Sequence, residues 1–409
     1  MDQLHRQHAG LTEGQVASYI PELAKADPAG FGIAIATVDG QVYQTGDARR
    51  VFSIQSVSKP FVYGVALEDA GRARVERAIG VEPTGDVFNS ISLESGSGRP
   101  LNPMINAGAI AASSLVAGAS AAARLARVLG ALSAYAGRPL DVDEAIFESE
   151  RSTGHRNRAI GHMLRHYDII GGDPEPALEL YFKQCAVRVD CRDLALMAAT
   201  LALMAATLAN GGVNPATSER AVRHALIEPI LSVITTCGMY DYSGAWVYRV
   251  GLPAKSGVGG GIIAVLPGQL GIGLYSPALE GRGNSARAAW RCASRSRPSW
   301  ACTACSRRGR RWPRCGRATR WPMCGPSGGG RRPRAGCSTP RVTARWSSSC
   351  RATCASPRWS RCCVRSSTPA RRSTQRCSTS SGSAMSTAAP PACWPAWPVA
   401  APRVAKPWC

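Results

Sequence analysis

The sequence predicts an α/β body, a mostly antiparallel five-stranded sheet with flanking helices and an inserted all-helical subdomain, followed by a tail that cannot fold. Three observations carry this. Short β-rich runs fall into two groups far apart in the chain, alanine-rich helical stretches fill the interval, and the composition changes abruptly after Ala289. A sheet split by helices in this way is one of the few layered arrangements that bury both kinds of apolar face.

The elements follow in order. Residues 31–38 are apolar and β-rich, Asp39-Gly40 is a two-residue turn signal, and residues 41–45 continue beyond it as the second arm of a hairpin. Residues 56–70, 106–128, 176–185 and 192–209 read as helices. Residues 245–250, 261–266 and 270–275 read as three further strands, with Pro267-Gly268 turning the chain between the last two. The expected domain is therefore residues 1–289, with its sheet part at about 1–55 and 231–289 and its helical part at about 56–230. Within the last helix, LALMAAT at 194–200 repeats at once at 201–207. Solenoid repeats need longer periods and more copies, so this is a duplicated segment and not an architecture.

The net charge of +22 over 409 residues suggests a polyanion partner, but the average misleads. Residues 290–409 hold 23 Arg, one Lys and no acidic group, which leaves 25 basic against 27 acidic groups in the body. The tail also holds 13 of the 16 cysteines and no Leu, Ile, Phe or Tyr. Such a segment cannot offset an ordering cost of roughly 1 to 2 kcal/mol per residue, so disorder is expected. Its residue types are those of GC-rich codons and point to a frameshifted reading. Cys302 and Cys305 form a C-x-x-C with no histidine after it, and no metal site is expected. The 24 positive charges imply unselective adhesion to nucleic acid at low salt, with no specific nucleic-acid partner.

Three scattered body cysteines, Cys185, Cys191 and Cys237, fit a reduced compartment, and residues 1–10 lack the apolar core of a secretory signal. The longest apolar run, 194–209, is 16 residues, short of the roughly 20 that a membrane span needs. A cytoplasmic protein without a membrane partner is expected.

Ser56-Val57-Ser58-Lys59 follows an apolar run and opens a helix. One helical turn separates Ser56 from Lys59, which sets hydroxyl and amine on one face, and the helix N-terminus favours negative charge developing on the serine oxygen. Downstream come Tyr240 in a polar loop and then Lys255-Ser256-Gly257 at a strand. Ser-x-x-Lys, a polar loop and Lys-Ser/Thr-Gly, in that order, is the layout of serine acyl-enzymes related to penicillin-binding proteins and β-lactamases.

The chain resembles, more closely, the serine-dependent glutaminases, which have that fold and hydrolyse L-glutamine. The likeness runs through VASYIPELA, TVDGQVYQTGD, SIQSVSKP, EPTGDVFNS, LNPMINAGAI, FESERSTGHRN, LYFKQCAV, CGMYDYSG, GLPAKSGVGGG and RGNS. It implies Ser56 as nucleophile, with Lys59 and Tyr240 as proton-transfer groups, either of which could be the base. It further implies substrate contacts at Tyr19, Ser56, Asn106, Glu150, Asn157, Tyr181, Tyr240 and Val258, with the backbone N–H groups of Ser56 and Val258 as oxyanion hole. Glu150 suits an ammonium, and amide and phenol groups suit a carboxylate and an amide. No cofactor is implied, and relatives are commonly dimers or tetramers. Competing readings are a penicillin-recognising acylase or β-lactamase of the same fold, and a non-enzymatic nucleic-acid-associated protein acting through the basic tail. After RGNS the family continues into a terminal helix that this chain lacks, so the resemblance implies apolar sheet surface left uncovered.

Overall fold

The structure, a computed structural model, describes residues 1–11, 13–86, 90–202, 211–281 and 283–284. The expected disorder of 290–409 and most of the second LALMAAT copy lie outside the described residues.

A short helix, α1 (Asp2–His8), precedes the hairpin of β1 (Gly32–Thr37) and β2 (Val42–Gly46). A two-residue strand, β3 (Phe52–Ser53), leads through a tight 3-10 turn, Gln55–Ser58, into α2 (Lys59–Ala70) and α3 (Arg72–Ala78). Then come α4 (Asn106–Ser114), α5 (Ala121–Ala136), α6 (Glu144–Thr153), α7 (His155–His166) and α8 (Glu175–Cys185). β4 (Arg188–Val189) pairs with β3 as a small second sheet and is followed by α9 (Cys191–Ala202). The chain ends its described course with α10 (Ile227–Cys237), α11 (Ser243–Arg249), β5 (Ala254–Ser256), β6 (Gly261–Leu266) and β7 (Leu270–Tyr275).

The main sheet is five-stranded and antiparallel, in the order β2-β1-β7-β6-β5. Four of the expected strands stand where the sequence put them. The fifth does not: 245–250 is helical, and the edge strand is Ala254–Ser256. Burial gives the reason. Trp246 and Val250, four apart, are buried, while Tyr248 between them is 85% exposed, which is a helical period and not strand alternation. The Trp246 indole N–H donates to the Leu252 carbonyl at 2.8 Å and closes the turn into β5. The expected helix at 106–128 is two helices, because Gly118 lies at φ 156° and Ser120 then caps α5 by accepting from the Ala123 N–H at 3.1 Å.

α9 is the keel of the molecule. Asp190 and Asp193 cap it reciprocally, each backbone N–H donating to the other's carboxylate at 2.9 Å. Leu194, Met197 and Leu201 are fully buried between sheet and helical layer, each worth roughly 1.5 to 3 kcal/mol. Contact with the sheet is so close that side chains at Gly271 and Gly273 would collide with helix backbone: a Cβ at Gly273 would sit 2.2 Å from the Cys191 carbonyl oxygen. The opposite face of the sheet, with Ile33, Ile35, Ile262, Ala264, Ile272 and Leu274, is also buried, together with Met239 and Trp246, and Met1 and Leu4 lie against it. The expectation of an uncovered apolar face is therefore not met at these residues.

Gly273→Ala is expected to destabilise the fold by about 3 kcal/mol, the upper end of overpacking costs, because helix and strand backbones must part. Gly130→Ala in α5, where nothing lies within 4 Å, should instead stabilise by up to about 1 kcal/mol. Thermal unfolding of the two variants checks the contrast, and equal effects would contradict it.

Candidate active site

Ser56 sits in the 3-10 turn that feeds α2, so its hydroxyl lies at the start of that helix. The preceding residue, Gln55, takes a left-handed φ of 49° without being glycine, as does Tyr240 at 54°. Each such residue carries about 1 to 2 kcal/mol of backbone strain, which surrounding contacts must hold.

Glycines bring the third side of the site into place. A Cβ at Gly257 would meet the Ile54 carbonyl at 3.0 Å and the Val57 amide nitrogen at 3.2 Å, and one at Gly259 would meet the Ser53 carbonyl at 2.3 Å. The segment carrying Val258 thus lies against the backbone of the nucleophile turn. On this arrangement Tyr19, Ser56, Asn106, Glu150, Asn157, Tyr181 and Val258 line one cleft of about 190 Å³, joined by Gln55 and Arg156. Tyr19 stands at the mouth, 53% exposed, while Ser56, Glu150 and Tyr181 are buried.

Behind the cleft wall Lys59 is buried and donates to the Asn106 side-chain oxygen at 2.7 Å and the Met104 carbonyl at 3.3 Å. Burial pushes its ammonium down to about 8, against the attraction of neighbouring acids, Glu150 among them. Glu150 is pushed up to about 7, again by burial, opposed by the Gln55 amide, which donates to its Oε2 at 3.3 Å, and by Lys59.

Tyr240 completes the group beneath Ser56. Burial raises its phenol, and a hydrogen bond with the Ser56 hydroxyl opposes that rise. Its hydroxyl donates to the Ser256 carbonyl at 3.3 Å. Lys255, fully buried, places Nζ 3.8 Å from the Tyr240 ring centroid and donates to the same carbonyl at 2.6 Å. Burial, and then repulsion from Lys59, holds its ammonium well below the ordinary value. At that distance the Lys255 amine packs against the face of the ring and restricts both side chains.

All nine residues expected at the site therefore lie together: seven line the cleft, Lys59 stands behind its wall bonded to Asn106, and Tyr240 is hydrogen-bonded to Ser56. Sequence reasoning passed over Gln55, whose position beside the nucleophile was visible but whose left-handed backbone and bond to Glu150 were not. It also passed over Thr153, Gly154 and Arg156, which lie where α6 ends and α7 begins, with Gly154 alone between the two helices. Among the described residues no group of three or more His, Cys, Asp or Glu could hold a metal ion, and no helix is long and apolar enough to cross a membrane.

A Ser-x-x-Lys turn at the start of a helix, facing a Lys-Ser-Gly edge strand of a five-stranded antiparallel sheet, defines an enzyme of the serine-dependent β-lactamase-like fold. Within that class the Glutaminase family model matches residues 14–297. A glutaminase of Trichormus variabilis is 57% identical over 287 residues, covering 70% of this chain and 84% of the relative, and one of Nostoc sp. is 56% identical over the same shares. A crystal structure of Mglu in its glutamate form superposes with a TM-score of 0.68 at 44% identity, covering 73% of this chain and 67% of that one. The chain belongs to the glutaminase family. The acylase and nucleic-acid alternatives find no support in these matches.

Gln55→Leu is expected to move the Glu150 carboxyl further above 7, because a hydrogen bond donated to a carboxylate favours its charged form and this variant removes it. Carboxyl carbon NMR titration reads the shift, and a downward movement would contradict the assignment.

Proposed function

We propose that this chain hydrolyses L-glutamine to L-glutamate and ammonia through an acyl-enzyme on Ser56. The observation that carries the reading is the single cleft in which a buried carboxylate, Glu150, and paired amides, Asn106 and Asn157, share walls with Ser56. An amino-acid head needs one negative group and one set of donors, and a side-chain amide must then reach the nucleophile.

In the proposed sequence the Ser56 oxygen attacks the side-chain carbonyl carbon as its proton leaves for Lys59. Lys59 is the better base of the two candidates: burial moves its pKa towards neutrality, whereas burial moves the Tyr240 phenol away from it. Tyr240, hydrogen-bonded to Ser56, keeps its proton and passes it across as the C–N bond breaks and ammonia leaves. Water then attacks the ester, returns its proton through the same groups and releases glutamate. The Ser56 and Val258 backbone N–H groups would hold the oxyanion, a contribution of a few kcal/mol per donor in comparable sites. Lys255 holds Tyr240 in register from its other side. The catalytic unit in this reading is residues 1–289, working as a cytoplasmic dimer or tetramer and needing no organic cofactor.

Ser56→Ala should abolish ammonia release, measured by a coupled assay, while leaving glutamine binding within a few-fold. Retention of most of the turnover would refute the nucleophile assignment. Cephalosporin hydrolysis without glutamine turnover would refute the substrate.

The pH profile follows from the two shifts. Glu150 must be charged to hold an ammonium, so KM should rise as pH falls below about 7; Lys59 must be neutral to accept a proton, so kcat should climb through about 8. Glu150→Gln should remove the first limb. It should also move the second to lower pH, since the Glu150 charge supports the Lys59 ammonium. Steady-state kinetics from pH 6 to about 9 test both directions.

A further inference from the structure

A planar trans peptide holds its carbonyl and its N–H pointing in opposite directions, so whatever grips the carbonyl also aims the N–H. The Ser56 N–H shares its peptide with the Gln55 carbonyl, and a side chain grips that carbonyl. The Ser58 hydroxyl lies 2.7 Å from the Gln55 oxygen. A carbonyl can only accept, so the hydroxyl proton goes there. This is not the ordinary use of a serine at such a place. Ser58 precedes the first residue of α2, where a serine side chain commonly accepts from a helix N–H, yet it makes no such cap and turns back to Gln55. It is fully buried, out of reach of bulk water, and the Cys185 thiol is within hydrogen-bonding reach of its oxygen.

The Ser56 and Val258 N–H groups find no acceptor among the described residues, although both residues are buried and line the cleft. The second is aimed in the same manner by backbone alone: the Gly257 carbonyl, across the peptide from the Val258 N–H, accepts from the Gly260 N–H at 3.0 Å. We propose that Ser58 is a positioning residue for acyl transfer, which holds the Gln55 carbonyl and thereby aims the Ser56 N–H at the oxygen of the tetrahedral intermediate. The reaction rests on the glutaminase reading, whereas the grip on the peptide rests on the hydrogen bond. Gln55 needs such a hold, because a left-handed φ of 49° is not one that its own preference would keep. The 3-10 turn Gln55–Ser58 sets the general direction of the carbonyl, and the hydroxyl removes the remaining swing of the plane. A tetrahedral oxygen carries charge that a planar amide does not, so a well-aimed donor contributes more in the transition state than in the substrate complex.

The test is Ser58→Ala in the full chain, which removes one oxygen and leaves Ser56, Lys59 and Tyr240 in place. Losing an oxyanion donor outright costs on the order of 100-fold or more in kcat; loosening the aim of one is expected to cost about tenfold, with KM for L-glutamine within about twofold. Two competitive inhibitors separate aim from fold. The boronic acid 2-amino-4-boronobutanoic acid places boron where the side-chain carbonyl carbon of glutamine would lie. The Ser56 oxygen adds to it as its proton leaves for Lys59, and a boronate oxygen takes the oxyanion position. L-Norvaline has the same head and chain length but ends in a methyl group, so it makes no demand on the N–H. In Ser58→Ala the inhibition constant of the boronate is expected to rise about tenfold and that of norvaline to stay within about twofold. Ser58→Thr, which keeps a hydroxyl, should recover most of the kcat and of the boronate affinity. Weakening of both inhibitors alike, or of neither, overturns the proposal. Should Ser58→Ala fail to fold, Ser58→Cys, a weaker donor of similar shape, decides by the same contrast. Ammonia release from glutamine by the unaltered chain is assayed in parallel. Its absence would refute the glutaminase reading, whereas normal turnover with boronate affinity untouched by the Ser58 variants would refute the positioning role alone.

Discussion

The site depends on a backbone approach that only glycine permits. Gly257 and Gly259 lay the end of β5 against the Ser53–Val57 turn at distances where a Cβ would strike carbonyl oxygens and an amide nitrogen. About two hundred residues separate the two segments, and the edge strand of the five-stranded sheet carries Lys255 and Ser256, with Val258 just beyond them, to the nucleophile turn. The same device recurs one layer away. Gly271 and Gly273 let α9 sit on β7, and α9 in turn holds the helical layer to the sheet. Without these approaches Ser56 would start an ordinary helix.

Closure of this kind dries the site, and the dryness governs its electrostatics. Lys59, Lys255 and Glu150 are all buried, a costly placement for charged groups unless their titration shifts towards neutrality or hydrogen bonds replace water. Both happen. The two lysines are pushed down and the carboxylate up, while Met104, Asn106, Ser256 and Gln55 supply hydrogen bonds. A pair of groups that would be fully charged in water thus titrates near neutrality, which is the condition for one to move a proton and the other to grip a cation.

Strain and order accompany this. Gln55 and Tyr240, both outside the ordinary backbone regions, flank the nucleophile, Gln55 from its own turn and Tyr240 from the segment between α10 and α11. Each is held by its side chain: Gln55 by Ser53 and Glu150, Tyr240 by the Ser256 carbonyl and the Lys255 amine over its ring. These two strained positions are therefore each tied to buried neighbours, as a nucleophile turn with a fixed geometry requires.

The sequence by itself determined the hairpin at 31–45, the two C-terminal strands and the helical interval between them, and its motifs, through their likeness to the glutaminases, pointed to the nine residues that the fold gathers at or behind the cleft. These were legible because each is written locally, as an alternation, a turn dipeptide or a motif. The edge strand was not legible, because apolar residues at 245–250 suit either period and only the burial of Trp246 against the sheet chose the helix. Gln55 as a partner of Glu150 was not legible either, since the two stand 95 positions apart in the chain. Nor was the direction of the Asn106 and Asn157 amides, which depends on a lysine that becomes their neighbour only when α2, α4 and α7 assemble. Residue types set what chemistry was available. Which atoms face one another, and which charges lie out of water, was decided by tertiary structure, because both depend on contacts between segments that the chain order keeps apart.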